Sequence, residues 1–281
     1  MNYRHLLWAV GLLMSLSAAS ISAAPVYLPL VSGAEQQAQP LPASWLGRVN
    51  GYRALAGIGP VTEDVTLDAN CVEHARFMAE NDALTHDQND PQYAGKPFKS
   101  VAGQSCAKNS NVFLGSGSGW SEADAIDSWM ESVGHRCWLL YPTTPTFGFG
   151  MAASADGSAE GVALDVLSRS MLSADTSYSG WPVRYPVSGQ LDVPTGSGRG
   201  YPITLVWRYF GTAPTIGSTR LRAVGGADIV HSADTSLPAG HKGIELMANN
   251  PLRPNTTYEV QVSGSYGGAP FSYTWQFTTG A

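Results

Sequence analysis

The hydrophobic period of this 281-residue chain changes once, near Tyr178, and a fold built from one kind of element cannot accommodate both halves. Before that point, one hairpin apart, the apolar residues recur every three to four positions. Trp45, Val49, Tyr52 and Ala56 form one helical face, with Ser44 placed to cap it and Gly57 and Gly59-Pro60 to end it. A second helix is predicted from near Asp64, with Leu67, Cys71, Ala75 and Met78 as its buried stripe and Asn81-Asp82 as its stop. A third opens with a capping box at Ser121 and Asp124, presents Ala125, Ile126, Trp129 and Met130, and ends over residues 132–136. Residues 147–151 and 162–166 then alternate as a β-hairpin about Asp156-Gly157. Beyond Tyr178 only short alternating runs occur, at 203–207, 220–224, 243–247, 257–262 and 272–277, each bounded by Gly, Pro or Asn. Strands so spaced predict an antiparallel sandwich of roughly a hundred residues. Residues 87–119, rich in Gly, Asn, Ser and Pro, read as a long irregular stretch, and loops of that length are usually functional.

Charge excludes one class of partner. The net charge is −6 and the pI about 5.4, so the clustered Lys and Arg of a general nucleic-acid binder are missing. Residues 24–185 carry 9 basic and 17 acidic side chains, against 6 and 5 over residues 186–281. At the N-terminus, Arg4 and His5 precede an apolar run through Leu16, and small residues follow to Ala23 and Ala24. That pattern predicts a signal peptide over residues 1–23, with cleavage after Ala23, and a flexible lead-in over 24–43. The run is too short to span a bilayer, so the mature chain is expected to be secreted and not membrane-spanning. Three cysteines, Cys71, Cys106 and Cys137, allow one internal disulfide and one spare thiol, with the pairing open.

Five segments stand in the order found in one family. They are residues 46–53 (LGRVNGYR) with Ala56-Gly57 and Pro60-Val61; His74 to Ala79; Leu84-Thr85-His86; Ala125 to Met130; and Gly134-His135-Arg136 running on to Gly148-Phe149-Gly150. In these the chain resembles the CAP superfamily, also called SCP-like: cysteine-rich secretory proteins, venom antigens, pathogenesis-related proteins and many secreted bacterial members. The resemblance implies an α+β chain, with a three-layer α-β-α sandwich over residues 44–177 whose helices cover both faces of a small antiparallel sheet. Residues 250–260, with Pro254, Thr256 and Tyr258, and the closing run from Trp275 to Thr279 resemble a bacterial immunoglobulin-like module, which implies a β-sandwich over 178–281. Tyr258 is expected to anchor a corner of it through backbone.

Many CAP domains line a cleft with two histidines and two acidic residues. Carried over residue by residue, the histidines are His86 and His135, which could hold a divalent cation such as zinc or share a proton near neutral pH. The acidic half is depleted. No Asp or Glu occurs in residues 101–111, where Gln104 or Lys108 stands in; the other acidic position is Ser132, with Glu131 one residue earlier. His74 belongs to the apolar stripe and reads as a core histidine; His231 and His241 read as surface residues. Intact scaffold segments beside a depleted acidic set favour a non-enzymatic secreted protein that binds a small apolar or lipid-like ligand, or a surface partner, through His86, His135, Glu131 and Gln104. The alternatives are a divalent-cation-dependent hydrolase using His86, His135 and Glu131, and cell-envelope adhesion through the C-terminal module.

Overall fold

The computed structural model describes residues 40–281. The expected leader over 1–23, and residues 24–39 of the lead-in, lie outside the described residues. The first half runs α1 (Trp45–Leu55), β1 (Thr62–Glu63), α2 (Val65–Asn81), α3 (Val101–Asn109), β2 (Ser110–Ser116), α4 (Glu122–Glu131), α5 (Val133–Leu139), β3 (Thr146–Ala153) and β4 (Ala159–Asp165). Among these residues no helix is long and apolar enough to cross a membrane.

The caps follow local chemistry in α2 and α4 and depart from it in α1. Asp64 accepts from the backbone N–H groups of Thr66 and Leu67, and Ser121 and Asp124 close a reciprocal capping box on α4. Such a cap contributes about 1 kcal/mol. Ser44, by contrast, makes no side-chain cap bond; the Trp45 N–H donates to the Glu122 carboxylate at 2.6 Å. The reason is tertiary: α4 lies beside α1, and a carboxylate is a stronger acceptor than a hydroxyl.

The first sheet has the order β1-β3-β4-β2, antiparallel except where the two residues of β1 run parallel to β3. Alternation along β3 sorts its two faces. Phe147 and Phe149 point to α1, with Phe149 stacked on Trp45 at 5.4 Å and Phe147 beneath the Arg53 guanidinium. Gly148 and Gly150 point to α2, whose backbone lies so close that a Cβ on Gly150 would sit 2.1 Å from the Cys71 carbonyl carbon. Gly161 on β4 continues this seam, 2.2 Å from the Ala75 carbonyl oxygen by the same measure. Only glycine lets the helix settle this near the sheet.

Residues 87–119 are not irregular throughout: they contain α3 and β2. The expectation failed because α3 (VAGQSCAKN) buries only the small residues Gly103, Cys106 and Ala107, which give a weak apolar signal among polar neighbours. Instead Ser100 caps it, and a disulfide from Cys71 to Cys106 pins it to α2. Cys137 is the free, buried thiol.

The second half is β5 (Val183–Tyr185), β6 (Gln190–Val193), β7 (Ile203–Trp207), β8 (Thr215–Ala223), β9 (His231–Ser236), β10 (Lys242–Ala248), β11 (Thr257–Tyr266) and β12 (Ala269–Thr279). These make two four-stranded sheets, β5-β7-β10-β9 and β6-β12-β11-β8, antiparallel but for β6 beside β12. Trp207 meets Tyr266 and Phe271 across them at 5.2 and 5.3 Å. Tyr258 accepts the Arg253 N–H at 2.7 Å, so its hydroxyl does bind backbone. The five residues of β7 are all buried, where an alternating run was expected, because both faces of the strand are covered. Leu205 and Trp207 pack into the large core that also holds Leu221, Val260 and Phe277, while Val206 packs on Val133 and Cys137 of α5. That large core is continuous from Trp45 to Phe277.

Candidate functional site

The loop that carries His86 begins at the C-terminal end of α2. Asp82 adopts a left-handed conformation there (φ 48°) and turns the chain back toward α3. His74, fully buried on α2, holds the returning loop. Its Nε2 meets the Thr85 carbonyl at 2.9 Å and its Nδ1 meets the Gln88 side-chain amide at 3.1 Å. Burial depresses its pKa to about 4, so it is a neutral, satisfied core histidine, as its place on the stripe implied. Gln104 on α3 takes the Gln88 N–H at 2.7 Å and gives its own amide to Asp87 at 2.7 Å. Gln104, one of the two residues expected to stand in for an acidic group, therefore spends both ends of its side chain on the loop.

His86 is exposed at the tip of that loop, with Nδ1 3.2 Å from the Ala107 carbonyl of α3. A carbonyl can only accept, so Nδ1 is the donor of this bond. His135 lies across from it on α5. The chain breaks between α4 and α5 at Ser132, whose extended backbone (φ −100°, ψ 119°) redirects it. The Ser132 hydroxyl meets His135 Nδ1 at 3.0 Å instead of capping the helix. Asn111 of β2 donates to the His135 carbonyl at 3.1 Å, and Trp129 packs against the ring at 6.5 Å. His135 titrates below its ordinary value, first through burial and then through the charge of His86.

Glu131 is not drawn into this pair. It is exposed, makes no hydrogen bond among the described residues, and its charge acts on Tyr201, a buried residue of the second half. Neither His86 nor His135 hydrogen-bonds a carboxylate. Among the described residues no group of three or more His, Cys, Asp or Glu side chains is placed to hold a metal ion. A zinc site takes four protein ligands, or three and a water, so two imidazoles do not fit one. What the arrangement offers is two imidazoles held by backbone and hydroxyl groups, without a carboxylate partner. Leu84 lies two residues before His86 and is exposed, and Val101, at the start of α3, is 91% exposed.

Sequence reasoning missed Asn111 and Gln88, which orient His135 and the His86 loop. Asn111 was legible only through its burial on β2, and Gly/Ser-rich flanks mask that strand. His241, expected at the surface, is instead buried against Trp138, Tyr141 and Tyr209. Nothing local separates the two outcomes, because those aromatic partners come from other parts of the chain.

Residues 46–166 match the model of the CAP family, described as the cysteine-rich secretory protein family. No curated protein matches the chain. Among solved structures, an outer surface protein from Borrelia burgdorferi is similar at 18% identity and a TM-score of 0.31, over 42% of this chain and 86% of that one. An extracellular protein containing a SCP domain, from Bacillus anthracis str. Ames, is similar at 16% identity and a TM-score of 0.31, over 43% of this chain and 38% of that one. At this level neither bears on what the present chain binds. The family match, over helices and a sheet arranged as above, supports a CAP domain at residues 46–166.

Proposed function

We propose that this protein is an extracellular binding protein. Its CAP domain would offer the recess at His86 and His135 to a small apolar or lipid-like ligand or to an apolar surface of a partner. The observation that carries this reading is the commitment of Gln104 and Asp87 to each other and to their own loop, which leaves the two imidazoles without an acidic group. A hydrolase needs a base with an orienting partner or a metal-bound water. A binding recess needs only a few fixed polar groups within an apolar rim, and Leu84 and Val101 supply that rim. The Cys71–Cys106 disulfide fits an oxidising compartment, in keeping with export through the leader at residues 1–23. The immunoglobulin-like module over residues 178–281 then serves as a support for the CAP domain.

The test is equilibrium binding of fluorescent fatty acid and sterol probes to the folded chain, beside the His86→Ala/His135→Ala variant. Saturable binding weakened about tenfold in the variant is expected, the loss of two neutral hydrogen bonds. Absence of saturable binding by any probe overturns the reading. So does zinc-dependent ester hydrolysis that disappears in the same variant, which would restore the enzyme alternative.

A further inference from the structure

His241 is 2% exposed, and neither ring nitrogen has a hydrogen-bond partner. A phenylalanine in this place would avoid the cost of two unpaired polar atoms. The ring lies at the seam between α5 and the C-terminal strands. Trp138 of α5 meets it edge-on at 4.2 Å, Tyr209 beyond β7 at 5.4 Å, and Tyr141 just past α5 at 6.3 Å. Trp138 and Tyr209 also pack on each other at 5.2 Å, so the cage itself joins the two halves.

No group around the ring offers a ready anion. Lys242 follows it on β10 and opposes a second positive charge. The Tyr209 hydroxyl donates to the Ala239 carbonyl, and the Tyr141 hydroxyl is given to Asp175, whose other oxygen takes Thr143. On α5, Arg136 is a cation and burial pushes the Cys137 thiol up to about 12. On β10, burial raises Glu245 above the usual carboxylate range, with Arg136 opposing that rise. Residues 238–240 bring no charge. Aromatic faces recover part of the cost of a buried cation, not the whole of it.

We propose that His241 is an acid-sensitive latch: protonation expels its ring from the cage and parts α5 from the C-terminal strands, uncovering Cys137. Cys137 reports on the seam because it is packed there with Val133, Val206 and Leu237. Because α5 also carries His135, the same opening loosens the recess.

The sign and size follow from linkage. Burial lowers the closed-state pKa to about 3, whereas a solvated imidazole titrates near 6.5. The open state therefore binds the proton first. Above pH 7 nothing changes; as pH falls from 6.5 toward 3 the open fraction grows, by about 30-fold at pH 5.

The experiment labels Cys137 in the disulfide-intact chain with dithiodipyridine between pH 7.5 and 5, normalised to a small free thiol at each pH. Wild type is expected to gain about 30-fold at pH 5, while His241→Phe stays flat and both keep their far-ultraviolet dichroism. His241→Gln, neutral at every pH, is the second variant and is expected to be flat as well, which covers misfolding of the first. A flat wild-type profile overturns the proposal. So does an equal rise in wild type and in whichever variant folds.

Discussion

Replacing Gly150 by alanine places a methyl group inside the backbone of α2. The added carbon would lie 2.1 Å from both the Cys71 carbonyl carbon and the Val72 nitrogen. Ordinary contact needs about 3.4 Å, so helix and sheet must separate by roughly 1.3 Å at this point. Neither side yields easily. The contact is backbone rather than a side-chain tip, Gly148 and Gly161 lock the helix above and below, and Cys71 is tied through its disulfide to α3. Overpacking of this kind costs about 1–3 kcal/mol, and a gap of 0.5–1 Å elsewhere in the interface forfeits a quarter to a half of each dispersion contact. About 3 kcal/mol is therefore expected, which lowers the melting temperature by roughly 6–12 °C in a chain of this size. Gly59→Ala is the control, since nothing lies within 4 Å of a Cβ there. Scanning calorimetry of the two variants under non-oxidising, non-reducing conditions decides it. If Gly150→Ala melts within about 2 °C of Gly59→Ala, the shift is too small for the expected cost and the helix does not rest on the sheet through a glycine seam.

Two further outcomes follow from other elements. Cys71→Ala/Cys106→Ala opens a loop of 35 residues and is expected to lose about 4 kcal/mol, read as a lower urea midpoint, with amide exchange rising first in α3. In a His241→Phe background, His74 remains as a buried imidazole with a pKa near 4 against 6.5 when unfolded. The unfolded chain takes the proton first, so stability is constant above pH 7 and falls as pH drops from 6.5 toward 4. About 2 kcal/mol should be lost between pH 7 and 5, measured by urea midpoints, and an unchanged midpoint would refute it.

The sequence was most readable where local chemistry and tertiary packing ask for the same thing. Asp64 caps α2 because its own carboxylate reaches two free N–H groups of the first turn, and Phe147 and Phe149 alternate with glycines because one face of β3 meets aromatic rings and the other meets backbone. Of the strands of the second half, β7, β8, β10, β11 and β12 read as short runs in the sequence, whereas β5, β6 and β9 do not. Reading failed where a distant residue supplies the stabilisation. Ser44 is displaced by Glu122, 78 positions away. The helix α3 has little amphipathic pattern because a disulfide and the loop contacts of Gln104 hold it. His86 and His135 were singled out through a family pattern, but the pattern says nothing of the hydrogen bonds that tie Gln104 to Gln88 and Asp87.

The same logic governs the second half of the chain. An isolated helix of seven residues is not stable in water, because nucleation outweighs so few hydrogen bonds. The helix α5 persists because both sides cover it. Arg136 shows how: its side chain donates to the Met130 carbonyl at 2.6 Å and to the Pro202 carbonyl at 2.5 Å, and its guanidinium lies 4.5 Å from the Tyr201 ring and 5.1 Å from that of Tyr185. One bond returns to the end of α4 and the other crosses to the strands beyond residue 178. Val133, Cys137 and Trp138 are buried by the same strands and by Leu237, Val206 and Tyr209. Removing residues 178–281 would therefore strip the outer cover from the helix that carries His135, and leave a buried guanidinium and three apolar side chains facing water. Retention at a cell surface cannot be assigned to the C-terminal strands by deleting them, because the deletion also unmakes the recess. Point substitutions on exposed β8 or β9 positions, which touch neither α5 nor the shared core, separate the two roles.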